Sequence, residues 1–221
     1  MAPMAMATTK KAMVVLILSA LLPLSTLGTR SVPTAVPHHG HACHGTPKHS
    51  SPPQLTTAEL VRTTCNSTAY YDLCVSALGA DPSSATADVR GLSTIAVSAA
   101  GANASGGAAT AAALANGTAT SSKAQAAPAT AAAALLRTCA AKYGQARDAL
   151  AAAGDSIAQQ DYDFASVHVS AAAEYPHVCK ALFRRLRSAQ YPPELAVREE
   201  ALRQLCSVAL DIIALASNGS G

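Results

Sequence analysis

Cysteine and histidine are the residue types here that could do chemistry. Six cysteines, Cys43, Cys65, Cys74, Cys139, Cys179 and Cys206, are candidates for oxidation to disulfides. His38, His39, His41, Cys43 and His44 lie together near the N-terminus. Those donor types suit zinc, copper or nickel. The cluster is set among Pro33, Pro37, Pro47, Pro52 and Pro53, and structural zinc sites show stricter ligand spacing. It therefore reads as a polar tail, with no metal and no cofactor expected. Neither His168 nor His177 stands in a nucleophile motif, and G-x-S-x-G and H-E-x-x-H are both missing. Asp161/Asp163 and Glu199/Glu200 are paired acids, and such pairs can act as acid and base. Here they read as a helix start and a solvated face. The expectation is a protein that is not an enzyme.

The compartment follows from the first 28 residues. Lys10 and Lys11 precede the uncharged run 12–22, and Ser25, Thr26 and Gly28 follow it. The run falls short of the roughly 20 apolar residues that span a bilayer. Residues 1–28 therefore read as a secretory signal peptide, and the mature chain as a secreted protein. Lys10 and Lys11 are two of sixteen basic residues, so fourteen face thirteen acids after cleavage. That balance gives no support for nucleic-acid binding. N-x-S/T sequons at Asn66, Asn103, Asn116 and Asn218 are candidate N-glycosylation sites, each suited to exposed surface.

The elements that would position these residues are helical. Residues 29–53 are a His/Pro-rich disordered tail, and the domain spans 54–217. Within it, 54–65 and 70–78 are short candidate helices, the second ended by Gly79 and the turn Asp81-Pro82. Ser84 or Thr86 can cap the next helix, with Asp88 in its first turn and Val89, Leu92, Ile95, Ala96 and Ala99 on one face. The Gly/Ala/Ser/Thr-rich stretch 101–127 holds the breakers Gly106-Gly107 and Asn116-Gly117, so a short or frayed helix is expected there. Pro128 can open a new helix, with the seam Leu135, Cys139, Tyr143, Ala146, Leu150, Ala153 and Ile157. Asp161 or Asp163 can cap the following one, which carries Phe164, Val167, Ala171, Val178 and Leu182. After Pro192-Pro193 a last helix, 194–217, carries Leu195, Leu202, Leu205, Ala209 and Ile212. No segment alternates with period two, so the fold class is all-α: a helical hairpin and then an antiparallel four-helix bundle. Half of the residues are apolar but aromatics make up only 4%. An alanine-dominated core of this kind is thin and gains from cross-links.

Cys65 and Cys74 flank the hairpin turn, and Cys139 and Cys179 lie on adjacent candidate helices. Both pairs could meet, but six cysteines allow 15 pairings. The stretch CNSTAYYDLCVSALGADPSSATADVRGL (65–92) resembles the opening of the plant invertase and pectin methylesterase inhibitor family. ALLRTCAAKYGQARDALAAA (134–153) and YDFASVHVSAAAEYPHVC (162–179) are similar to its third- and fourth-cysteine helices, and LRQLCSVALDII (202–213) also fits. The resemblance covers about residues 54–217.

The resemblance implies pairing of Cys65 with Cys74 and of Cys139 with Cys179. It implies a free thiol at Cys206 and gives no counterpart for Cys43, which is left unassigned. It also implies a function: stoichiometric blocking of the active-site cleft of a plant pectin methylesterase or acid invertase. Some invertase inhibitors of the family insert a Pro-Lys-Phe segment; the matching residues here are Tyr162, Asp163 and Phe164, candidates for target binding. Phe164 is shared, an acid replaces the lysine, and Phe164 also reads as a core anchor at the head of its seam. The implied location is the apoplast or cell wall, with the vacuole as second choice. At acidic wall pH the histidines of 29–53 would gain charge and could hold the protein weakly on pectin. A different class, a secreted helical-bundle carrier of a small molecule or metal, is the alternative.

Overall fold

The computed structural model describes residues 56–120, 127–186 and 190–219. Two short helices, α1 (Thr57–Asn66) and α2 (Tyr71–Gly79), form the hairpin. A 3₁₀ turn, Pro82–Thr86, leads to four long helices: α3 (Val89–Thr120), α4 (Ala127–Ala158), α5 (Tyr162–Arg185) and α6 (Pro193–Asn218). Among the described residues there is no strand, and no helix is long and apolar enough to cross a membrane. α4 and α6 each pack on both α3 and α5, which closes an antiparallel four-helix bundle, and the hairpin rests on α3 and α6.

Short acidic side chains start the elements. Asp81 accepts from the Ser83 hydroxyl (2.7 Å) and backbone N–H (2.9 Å), and these bonds hold its carboxyl below the usual range. Asp88, rather than Ser84 or Thr86, caps α3, accepting from Gly91 N–H at 2.7 Å. Ser84 and Thr86 are taken up in the 3₁₀ turn instead. Asp161 caps α5, accepting from Phe164 N–H at 3.2 Å. Each satisfies an otherwise orphaned donor at a helix start.

The cores of α4 and α6 are those expected from their spacing. Cys139, Tyr143, Ala146, Leu150, Ala153 and Ile157 are buried, as are Leu195, Leu202, Leu205, Ala209 and Ile212; at the start of α4, Leu136 takes the place expected for Leu135. α3 departs from expectation. It is continuous through Gly106-Gly107 and Asn116-Gly117. Its inner face is a seam of small residues, Ala96, Ala100, Ala104, Ala111 and Ala115, with Gly107 in register between them. Alanine is the best helix former, and glycine is needed at 107 because the Tyr143 ring of α4 lies directly on its Cα. A close approach, not a break, explains that glycine.

α5 departs in phase. The residues facing the core are Ala165, Val169, Ala172, Pro176, Cys179 and Phe183. Phe164, Val167 and Val178, expected in the seam, are 61%, 62% and 41% exposed. The buried face is displaced by about one residue, roughly 100° around the helix.

Candidate functional site

The exposed apolar face of α5 starts at the turn that joins it to α4. α4 ends in a Schellman motif: Asp161 N–H donates to Ser156 O (2.9 Å), Gln160 N–H to Ile157 O (3.0 Å), and Gln160 takes the left-handed conformation at φ 61°. Asp161 then caps α5 at once, so the turn is short and fully hydrogen-bonded. Of the three residues that the sequence singles out, Tyr162 is buried at 9% exposure, whereas Asp163 and Phe164 face outward. Asp163 lies in the first turn of α5, where the helix dipole favours an acid. Phe164 is followed on the same helix face by Val167, one turn on, and by Val178 further along. A shallow cavity of about 380 Å³ lies beside the turn, lined by Asp88, Arg90, Gln160, Tyr162 and Leu215.

Two cross-links brace the fold, one of them on α5. Cys65 is bonded to Cys74 within the hairpin, and Cys139 to Cys179 between α4 and α5. Cys206 is free and buried in α6, and burial pushes its thiol up to about 12. Cys43 and the His38–His44 cluster lie outside the described residues. Among the described residues, no three His, Cys, Asp or Glu side chains converge as a metal group.

Polar ties that the sequence did not signal complete the frame. Ala69 N–H in the hairpin turn donates to Asp211 at 3.0 Å, and Arg203 donates to the Tyr70 hydroxyl at 3.1 Å with its guanidinium 5.9 Å from the ring centroid. Both anchors come from α6, across more than 130 residues of chain, so no local pattern announces them. Glu199, expected on a solvated face, is turned inward: its side chain is 13% exposed and meets His177 of α5 at 3.3 Å. Tyr191 stacks edge-on with Phe183, centroids 5.6 Å apart. Burial first, then the neighbouring Tyr143 phenol and Glu199 carboxylate, push the Tyr191 phenol up. Among the sequons, Asn66, Asn116 and Asn218 are exposed. Asn103, expected on open surface, has a buried Oδ1 because it sits mid-way along packed α3.

Residues 59–212 match the family model described as plant invertase/pectin methylesterase inhibitor. The chain is 63% identical over 211 residues to the Oryza sativa subsp. japonica protein named pectinesterase inhibitor 28, covering 92% of this chain and 91% of that one. It is 38% identical over 157 residues to the Arabidopsis thaliana protein named cell wall / vacuolar inhibitor of fructosidase 2, covering 71% and 83% respectively. Its fold is similar to a crystal structure of a mutant pectin methylesterase inhibitor from Arabidopsis, with a TM-score of 0.53 at 21% identity over 69% of this chain and 94% of that one. With the helical hairpin, the bundle and two disulfides already in place, these likenesses put the chain in the plant invertase/pectin methylesterase inhibitor family.

Proposed function

We propose that this protein is a secreted inhibitor that binds a pectin methylesterase stoichiometrically and covers its substrate cleft. The observation that carries the reading is the outward apolar face of α5, with Phe164 at 61% and Val167 at 62% exposure beside a rigid turn. Large apolar side chains shown to solvent in a row are unusual on a monomer's surface and mark contact faces. Aromatic anchors dominate the energy of such contacts. The Cys139–Cys179 bond to α4 and the capped turn hold α5 in place before binding, which lowers the ordering cost. The choice of target is supported by the 63% identity to a protein named for pectinesterase, against 38% to one named for fructosidase. The domain limits 54–217, the signal peptide 1–28 and weak retention on pectin by the His-rich segment 29–53 belong to the same proposal. Deleting 29–53 is expected to reduce retention on pectin at pH 5.

The test is a titration of the oxidised protein against a pectin methylesterase and an acid invertase, at pH 5 and pH 7. The expected result is a linear loss of methylesterase activity that ends at one equivalent, with invertase unaffected. Loss of invertase activity alone would move the target to the other branch of the family. Activity of both enzymes in the presence of excess folded protein would refute the proposal.

A further inference from the structure

The cavity beside the α4–α5 turn lies next to the apolar face of α5 but takes no part in it. Its walls come from three places: Asp88, Val89 and Arg90 at the start of α3, Gln160 and Tyr162 at the turn, and Leu215 near the end of α6. We propose that this cavity is a carbohydrate subsite that takes one uronate residue of de-esterified pectin. The choice of sugar rests on the reading that the protein acts on a pectin methylesterase, whereas the site rests on its own residues.

Tyr162 is only 9% exposed, yet its hydroxyl has no hydrogen-bond partner among the described residues. A buried phenol ordinarily finds one, and here the side chain lines the cavity. Arg90 is exposed and forms no ion pair among the described residues. A guanidinium holds a carboxylate through two parallel hydrogen bonds. Gln160 stands at φ 61°, where glycine would be cheaper. A side chain is kept there all the same, and it lines the cavity. Val89 and Leu215 are half-buried and supply apolar wall, which suits the C–H face of a pyranose.

Asp88 sets the class of anion. Its Oδ1 accepts from Gly91 N–H at 2.7 Å, which leaves the second oxygen to accept a hydrogen bond from a ligand. An ionised carboxylate can only accept. Inorganic phosphate, more highly charged, would be repelled by this acid. A uronate carries a single charge for Arg90 and several hydroxyl donors for Asp88. The cavity, about 380 Å³, is shallow, so one sugar can sit in it while the rest of the strand runs on through solvent. Tyr162 lines the cavity and Phe164, two residues on, opens the apolar face. A strand bound here keeps the inhibitor where de-esterified chains accumulate.

The experiment titrates the full oxidised chain, labelled with ¹⁵N, with trigalacturonate at pH 7, where the histidines of 29–53 are largely uncharged. The fully methyl-esterified trimer and inorganic phosphate are the comparison ligands. Saturable amide shifts at Arg90, Gln160 and Gly219 are expected, with a Kd on the order of 1 mM for a shallow one-sugar site. Arg90→Gln should weaken binding by about tenfold or more, and Tyr162→Phe by about threefold. Neither change removes packed atoms, and thermal unfolding verifies both folds. The esterified trimer and phosphate should leave these amides unmoved. Shifts confined to other residues, full binding by Arg90→Gln, or equal shifts with phosphate would each overturn the subsite. Saturable binding by a protein that inhibits no pectin methylesterase would uphold the subsite and remove only the reading of the target.

Discussion

The ring of Tyr143 lies on the backbone of Gly107, and its hydroxyl donates to Leu195 O at 3.1 Å, so one side chain ties α4 to both α3 and α6. A Cβ at 107 would stand 2.9 Å from the ring's Cγ and overlap Cδ1 and Cε1. Gly107→Ala should therefore cost about 1–3 kcal/mol from overpacking, despite the helix propensity it gains. Gly144→Ala is the control, because nothing lies within 4 Å of its added Cβ. That change should stabilise by about 0.5–1 kcal/mol. Thermal unfolding should show Tm shifts of opposite sign, and equal shifts would refute the close-approach account.

Gln160 adopts φ 61° at the end of α4. A side chain there carries a steric penalty that glycine escapes. Gln160→Gly is expected to raise stability by up to about 1 kcal/mol, less what the unfolded chain gains in entropy. A lower urea midpoint would show that the glutamine side chain supports the turn.

The disulfides close loops of different length, with separations of 9 for Cys65–Cys74 and 40 for Cys139–Cys179. Chain entropy assigns about 2.5 kcal/mol to the first and about 4 kcal/mol to the second. Replacing each pair with alanines should preserve that order in denaturant melts. A hairpin pair that mattered more would point to residual structure in the unfolded chain.

Cys206 should make stability fall in alkali. Its buried thiol is pushed up to about 12, against about 8.5 for an unfolded chain. Below the unfolded value both states hold the proton and the contribution is complete. Between the two values the unfolded thiol ionises and the folded one does not, so stability is lost as pH rises, by up to about 1.4 kcal/mol per pH unit. Tyr143, also raised to about 12, adds to the loss above pH 10. Cys206→Ala should flatten the slope between pH 8.5 and 9.5 in chemical denaturation. An unchanged slope would assign the loss to other groups.

Phe164→Ala and Val167→Ser should weaken inhibition without weakening the fold. Both side chains are mostly exposed, so stability should change by less than about 0.5 kcal/mol. An aromatic anchor is typically worth about 2 kcal/mol or more, so Phe164→Ala should weaken inhibition at least tenfold. Wild-type inhibition by Phe164→Ala would place the contact elsewhere.

The sequence by itself determined the hairpin, the helices apart from the continuation of α3 past Gly106-Gly107, and the inward residues of α4 and α6. There, large apolar side chains recur at helical spacing against a polar opposite face, so period and phase are both legible. It did not determine the phase of α5, which has two apolar faces: Phe164, Val167 and Val178 fit the helical period as well as Ala165, Val169 and Cys179 do. Only the packing of α5 on α4 and α6 decided which face was covered, and that left Phe164 outside. Nor did it reveal the inner face of α3, since alanine and glycine carry little hydrophobic signal and Gly107 reads as a breaker until Tyr143 is placed upon it. The ties from Asp211 and Arg203 to the hairpin arise between segments remote in the chain. Local pattern reports what a residue prefers, whereas burial and partnership are settled by which helices meet.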